Sequence, residues 1–207
     1  MQALSLGLVD VELSDLPYLA VSHPAVPAVF GVACLLLGGA AWWLAPQRGW
    51  AQVPAALAGC GLALALAVTV IRPMGKFPAG GLDPLTTLQE CTLGALSLVR
   101  TYEKLNVAML VPYTFFGTLA TRRPAVVAAS GLLISGLLEF VQGSTGGGTC
   151  QVRDLVHNTA GGLLGALLAV LLLRRLNRLD RLDRLDRLDR QRAALTAGRG
   201  AGSESSS

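Results

Sequence analysis

The chain has 207 residues, 52% of them hydrophobic and only 14% charged, with a formal net charge of +4 and a mean hydropathy of +0.53. Soluble domains carry roughly 25% charged residues, so this composition argues against a water-soluble globule, and the apolar residues fall in long blocks rather than at an amphipathic period. The positive balance does not point to nucleic acid, because the arginines are concentrated after the last apolar block and alternate with aspartates. That pattern fits retention at a membrane surface.

Residues 1–24 form an N-terminal segment with Asp10, Glu12 and Asp15 but neither Lys nor Arg. Without a basic flank it does not read as a secretory signal peptide, and the first apolar block is expected to stay in the mature protein. A spanning helix needs about 20 mainly apolar residues. Residues 25–44 and 53–71 meet that requirement and contain no Asp, Glu, Lys or Arg. The next blocks, residues 105–120 and 125–140, are shorter, roughly 24 Å of helix at about 1.5 Å per residue against a hydrocarbon layer of about 30 Å. Residues 155–173 form the fifth block and close on Arg174 and Arg175. The fold class is therefore all-α, a polytopic membrane protein with about five transmembrane helices in residues 25–173. Residues 91–99 are apolar but too short to span.

Arg48, Arg122, Arg123, Arg174 and Arg175 fall on the same side of a five-helix arrangement as the tail, which the positive-inside rule places in the cytoplasm, leaving the N-terminus outside. Trp42, Trp43 and Trp50 then bracket the inner interface. Against this, Arg72, Lys76, Arg100, Lys104 and Arg153 fall in the outer loops. The tail, residues 174–207, repeats Arg-Leu-Asp and sets Asp180, Asp183 and Asp186 four residues before Arg184, Arg187 and Arg190, a helix-supporting spacing. Leucines at every third position drift around a helix of 3.6 residues per turn and make no coiled-coil seam. The spacing predicts a solvated single helix, with contact to anionic lipid or a partner as the alternative, and a Gly- and Ser-rich disordered end at residues 197–207.

Cys34 and Cys60 fall inside spans and read as small apolar side chains. Cys91 and Cys150 fall on the proposed outer side, where an oxidising compartment leaves a disulfide between them open.

The chemically informative stretch is residues 135–165. Glu139 and Gln142 are three apart near the outer end of the fourth helix, and Asp154 and Asn158 are four apart at the start of the fifth, so each pair shares a helix face. A carboxylate at the hydrocarbon boundary marks a functional-site candidate. The candidate ligand-binding set is Glu139, Gln142, Arg153, Asp154 and Asn158, with Arg153 and Asn158 as the nearest partners for Glu139. Two plainer readings stand beside it: Asp154 complements the helix N-terminus, and Asn158 bonds a neighbouring helix. A metal centre from Glu139, Asp154 and His157 has no recognised spacing. A nucleophilic device from Ser135 or Ser144 with His157 has no better support. No cofactor and no catalytic residue is assigned. Below the polar residues, Gly131 and Ser135 on the fourth helix and Gly161 and Gly165 on the fifth are small-xxx-small steps for close helix packing.

The run Glu139-Phe-Val-Gln142 followed by Asp154-Leu-Val-His-Asn158-Thr-Ala-Gly161-Gly-Leu-Leu-Gly165 resembles the VanZ-like family of small bacterial membrane proteins, named for a teicoplanin-resistance protein. Asn106 with Pro112-Tyr-Thr-Phe-Phe-Gly117, and Leu82-Asp83-Pro84 before it, extend the resemblance over residues 82–172. The chain departs from the family pattern at Asp83, at Leu85 and at Gly148-Thr149, where the family carries Asn, an aromatic and a basic residue. The resemblance implies a multi-pass protein of the bacterial plasma membrane, linked to glycopeptide tolerance or envelope biology, and supplies no known reaction. On that basis the polar residues are expected to bind an envelope component or glycopeptide. The alternatives are a small transporter with a titratable carboxylate and a membrane enzyme acting on lipid-linked substrates. Association of copies of the chain is left open.

Overall fold

The structure, a computed structural model, describes residues 25–71, 101–144 and 152–203. Every described element is helical. In chain order they are α1 (Ala25–Ala33), a π-helical segment (Cys34–Gly38), α2 (Gly39–Gln47), α3 (Gln52–Ile71), α4 (Thr101–Met109), α5 (Val111–Thr121), α6 (Pro124–Ser144) and α7 (Val152–Ser203). Several prolines sit at helix starts, although Pro46 lies inside α2 near its end. Pro54 lies in the first turn of α3 and Pro124 opens α6, where a missing N–H is harmless. Pro112 follows the break at Leu110 that separates α4 from α5. Its ring cannot donate to the carbonyl one turn earlier and crowds it, so residues 105–120, expected as one span, are two helices.

The described helices long and apolar enough to cross a membrane are Pro27–Gln47, Pro124–Val141 and Val152–Leu188, with Gln52–Ala67 a shorter apolar helix. Their packing is inverted relative to a soluble protein. The buried apolar residues are mostly alanines, among them Ala45, Ala55, Ala58, Ala63, Ala65, Ala67, Ala120, Ala166 and Ala169, while Leu132, Leu133, Leu137, Leu163, Leu164, Leu167 and Leu168 are exposed. Water would penalise so large an apolar exterior. In lipid, helix association depends instead on close approach of small residues.

Two hairpins share one end of the bundle. Ala45, Ala55 and Ala120 pack together with Ala41 and Trp50 alongside, and the Ala51 amide donates to the Ala120 carbonyl at 3.2 Å. This brings the α2–α3 turn, with Arg48, beside the α5–α6 turn, with Arg122 and Arg123. Trp42 and Trp43 are exposed near the same end. The α5–α6 turn is closed by Arg122 in the left-handed region, φ 56°, and by Thr121, whose Oγ1 donates to the Gly117 carbonyl and accepts from the Arg123 amide.

The chain divides into two compact units between Ala169 and Val170. In the second unit α7 continues as one helix, and Leu176, Leu179, Leu182, Leu185 and Leu188 are all exposed. The helix runs on to Ser203; Ala193, Ala194 and Leu195 are strong helix formers, and extending an existing helix avoids the cost of nucleating one.

Candidate functional site

The levels of the residues follow from how α4 to α7 pair. Tyr113 and Ser130 share a hydrogen bond of 2.8 Å, and a Cβ on Gly117 would lie 3.1 Å from a Val127 methyl, so α5 and α6 run antiparallel with Thr114 beside Gly131. Stepping one helical turn at a time away from the Arg122 turn brings Leu110 level with Ser135 and Asn106 level with Glu139.

The pairing of α7 is tighter. A Cβ on Gly161 would overlap the Val107 carbonyl oxygen, and one on Gly165 would overlap Thr114 Oγ1 and come within 2.6 Å of the Val111 carbonyl oxygen. Successive glycines therefore meet successive turns of α4 and α5, and α7 runs parallel to them. Thr114 is the meeting point of three helices: its methyl would be 3.1 Å from a Cβ on Gly131 of α6 and 3.4 Å from one on Gly162 of α7. Its hydroxyl is kept local, donating to the Leu110 carbonyl at 3.0 Å. The same register sets Asn158 and His157 roughly 3–5 Å further along the axis than Asn106, at about 1.5 Å per residue.

The buried stripes of all three elements turn polar at this level. Asn106 on α4, Ser135 and Glu139 on α6, and His157 and Asn158 on α7 are each at most 8% exposed. Ser135 Oγ, His157 Nδ1 and Asn158 Oδ1 have no hydrogen-bond partner. An unsatisfied buried polar atom costs about 1–3 kcal/mol, and in hydrocarbon the alternative of water is remote. Three such atoms lie on α6 and α7, and Thr118 Oγ1 on α5, nearer the Arg122 turn, is a further one.

At the start of α7, Asp154 sits in the first turn, where its charge complements the helix N-terminus. The Arg153 guanidinium Nε approaches Asp154 Oδ1 at 3.5 Å, an ion pair between neighbours without hydrogen-bond alignment.

Of the expected site residues, Glu139 and Asn158 are both buried in the interior, and Arg153 and Asp154 precede Asn158 by about a turn on α7. Gln142 belongs to α6, but its side chain lies outside the described residues, as do Cys91, Cys150 and residues 82–85. A Cβ on Gly131, Gly161 or Gly165 would meet a neighbouring helix, and Ser135 is fully buried with its hydroxyl unpartnered. Asn106 was not assigned to the site from sequence. Its signal is the four-residue spacing of Asn106, Leu110, Thr114 and Thr118, one continuous buried line across the α4–α5 break. Among the described residues no three His, Cys, Asp or Glu side chains converge as a metal centre would need. Ser135 Oγ makes no hydrogen bond to His157 of the kind that activates a nucleophile.

Comparison with protein-family profiles matches residues 61–173 to the VanZ/LLP1 family, more than half of the chain and every helix that contributes to the polar cluster. The chain belongs to the VanZ/LLP1 family. No curated protein and no solved structure matches it. The match begins at Gly61, well before the earliest resembling motif at Leu82. Gly61 has a structural reason to fall inside it, since a Cβ there would lie 2.6 Å from the Tyr113 amide nitrogen, so α3 is seated directly on the helix that carries Thr114. The all-helical, lipid-suited architecture and the family together make this a VanZ-like membrane protein.

Proposed function

We propose that this VanZ-like protein is a multi-pass protein of the bacterial plasma membrane that binds an envelope component or a glycopeptide such as teicoplanin through Asn106, Ser135, Glu139, His157 and Asn158, with Arg153 and Asp154 at the rim. The observation that carries the reading is the set of unpartnered buried atoms, Ser135 Oγ, His157 Nδ1 and Asn158 Oδ1. Retaining polar groups without partners inside a helical bundle costs stability, and a ligand that supplies the missing hydrogen bonds offsets that cost.

The cluster lies at the end of the bundle opposite Arg48, Arg122 and Arg123. By the positive-inside rule those arginines face the cytoplasm, so the polar end faces the compartment in which glycopeptides and wall precursors are met. Five spans, counting α4 and α5 as one broken crossing, satisfy this orientation.

The test is complementation of a deletion strain, scored by teicoplanin susceptibility and wall composition. Wild-type protein is expected to restore the parental phenotype and Asn158→Leu is expected to fail at equal membrane abundance. A deletion with unchanged susceptibility and unchanged wall composition would overturn the proposal.

A further inference from the structure

Outside the family-matched region, the π-helical segment Cys34–Gly38 and α3 approach each other closely. A Cβ on Gly59 would lie 2.5 Å from the Leu37 carbonyl oxygen, and one on Gly38 would lie 3.0 Å from the Cys60 sulfur. At this approach Cys34 and Cys60 are placed reciprocally. The Cys34 thiol is 3.9 Å from the Cys60 carbonyl oxygen, and the Cys60 thiol is 4.0 Å from the Cys34 carbonyl oxygen.

Three further observations separate this pair from ordinary packing. Neighbouring interior positions of α3 are filled by alanine or glycine, at Ala55, Ala58, Gly59, Ala63, Ala65 and Ala67, so a small apolar filler was available without sulfur. The π-helical segment begins at Cys34 itself, and π-turns within α-helices concentrate at functional sites. Both cysteines are free and only partly buried, in segments with no charged residue, so they are open to a reagent dissolved in lipid.

We propose that Cys34 and Cys60 are an intramembrane dithiol oxidised to a disulfide by a lipid-soluble quinone. Both S–H bonds break and one S–S bond forms; the two electrons and two protons pass to the quinone, which becomes the hydroquinone. The bond ties the π-helical segment to α3 where Gly59 lies against the Leu37 carbonyl.

The experiment uses the full chain, reduced and reconstituted in lipid nanodiscs, exposed to a short-chain ubiquinone, then alkylated, digested and read by mass spectrometry. The expected result is a several-fold rise in a peptide linking Cys34 to Cys60, lighter by two hydrogens than the separate thiol peptides and absent from Cys34→Ser. Equal alkylation of both thiols with and without quinone would overturn the proposal. So would a quinone adduct on a single cysteine, or linkage of Cys34 or Cys60 to Cys91 or Cys150 in place of each other.

Discussion

Gly161 of α7 lies against the Val107 carbonyl so closely that no side chain fits between them. One turn further, Gly165 stands in the same relation to Thr114 and Val111. These contacts hold α7 parallel to α4 and α5, and so determine which polar residues of α7 face Asn106, Ser135 and Glu139.

Gly161→Ala and Gly165→Ala are therefore expected to force helices apart, at about 1–3 kcal/mol each, the usual cost of overpacking. The control is Gly136→Ala on α6, where nothing lies within 4 Å of the added methyl; helix propensity favours that change by up to about 1 kcal/mol. Thermal unfolding in detergent should show the first two variants well below wild type and the third at or above it.

Tyr113 and Ser130 fix the antiparallel register of α5 and α6. Ser130 Oγ donates to the Val127 carbonyl at 2.7 Å, which leaves the hydroxyl to accept from Tyr113. Tyr113→Phe should lose about 0.5–1.5 kcal/mol, the net worth of one such bond. In a double-mutant cycle, Tyr113→Phe adds less destabilisation on a Ser130→Ala background than on wild type; strict additivity would mean the bond contributes nothing.

Arg122 adopts a left-handed conformation, φ 56°, while its amide caps α5 on the Thr118 carbonyl at 2.9 Å. That conformation costs a non-glycine residue about 1–2 kcal/mol. Arg122→Gly should raise the unfolding midpoint and Arg122→Val should lower it, since a β-branched side chain meets the steric conflict that glycine lacks.

The polar cluster predicts a separation of stability from function. Asn158→Leu and Ser135→Ala remove the buried Asn158 Oδ1 and Ser135 Oγ, neither of which has a partner, so each should leave stability unchanged or raise it by about 1–3 kcal/mol. Both should abolish complementation in the susceptibility assay. A variant that unfolds readily instead would mark the side chain as a packing element.

The sequence alone determined the solvent in which this chain folds, because uncharged blocks of this length have no stable place in water. It also paired Glu139 with Gln142, Asp154 with Asn158, and Gly161 with Gly165, since residues three or four apart on one helix necessarily share a face. The family signature was legible for the same reason: its informative residues are local runs. What the tertiary structure decided depends on register between helices, which local spacing does not encode. Asn106 reaches the level of Glu139 only because Thr114 stands beside Gly131, and the α4–α5 break at Leu110 does not interrupt that buried line. Cys34 and Cys60, two unremarkable thiols in separate apolar blocks, become neighbours only because Gly38 and Gly59 let two backbones touch. A helix fixes the neighbours along its own axis, and packing alone selects the neighbours across it.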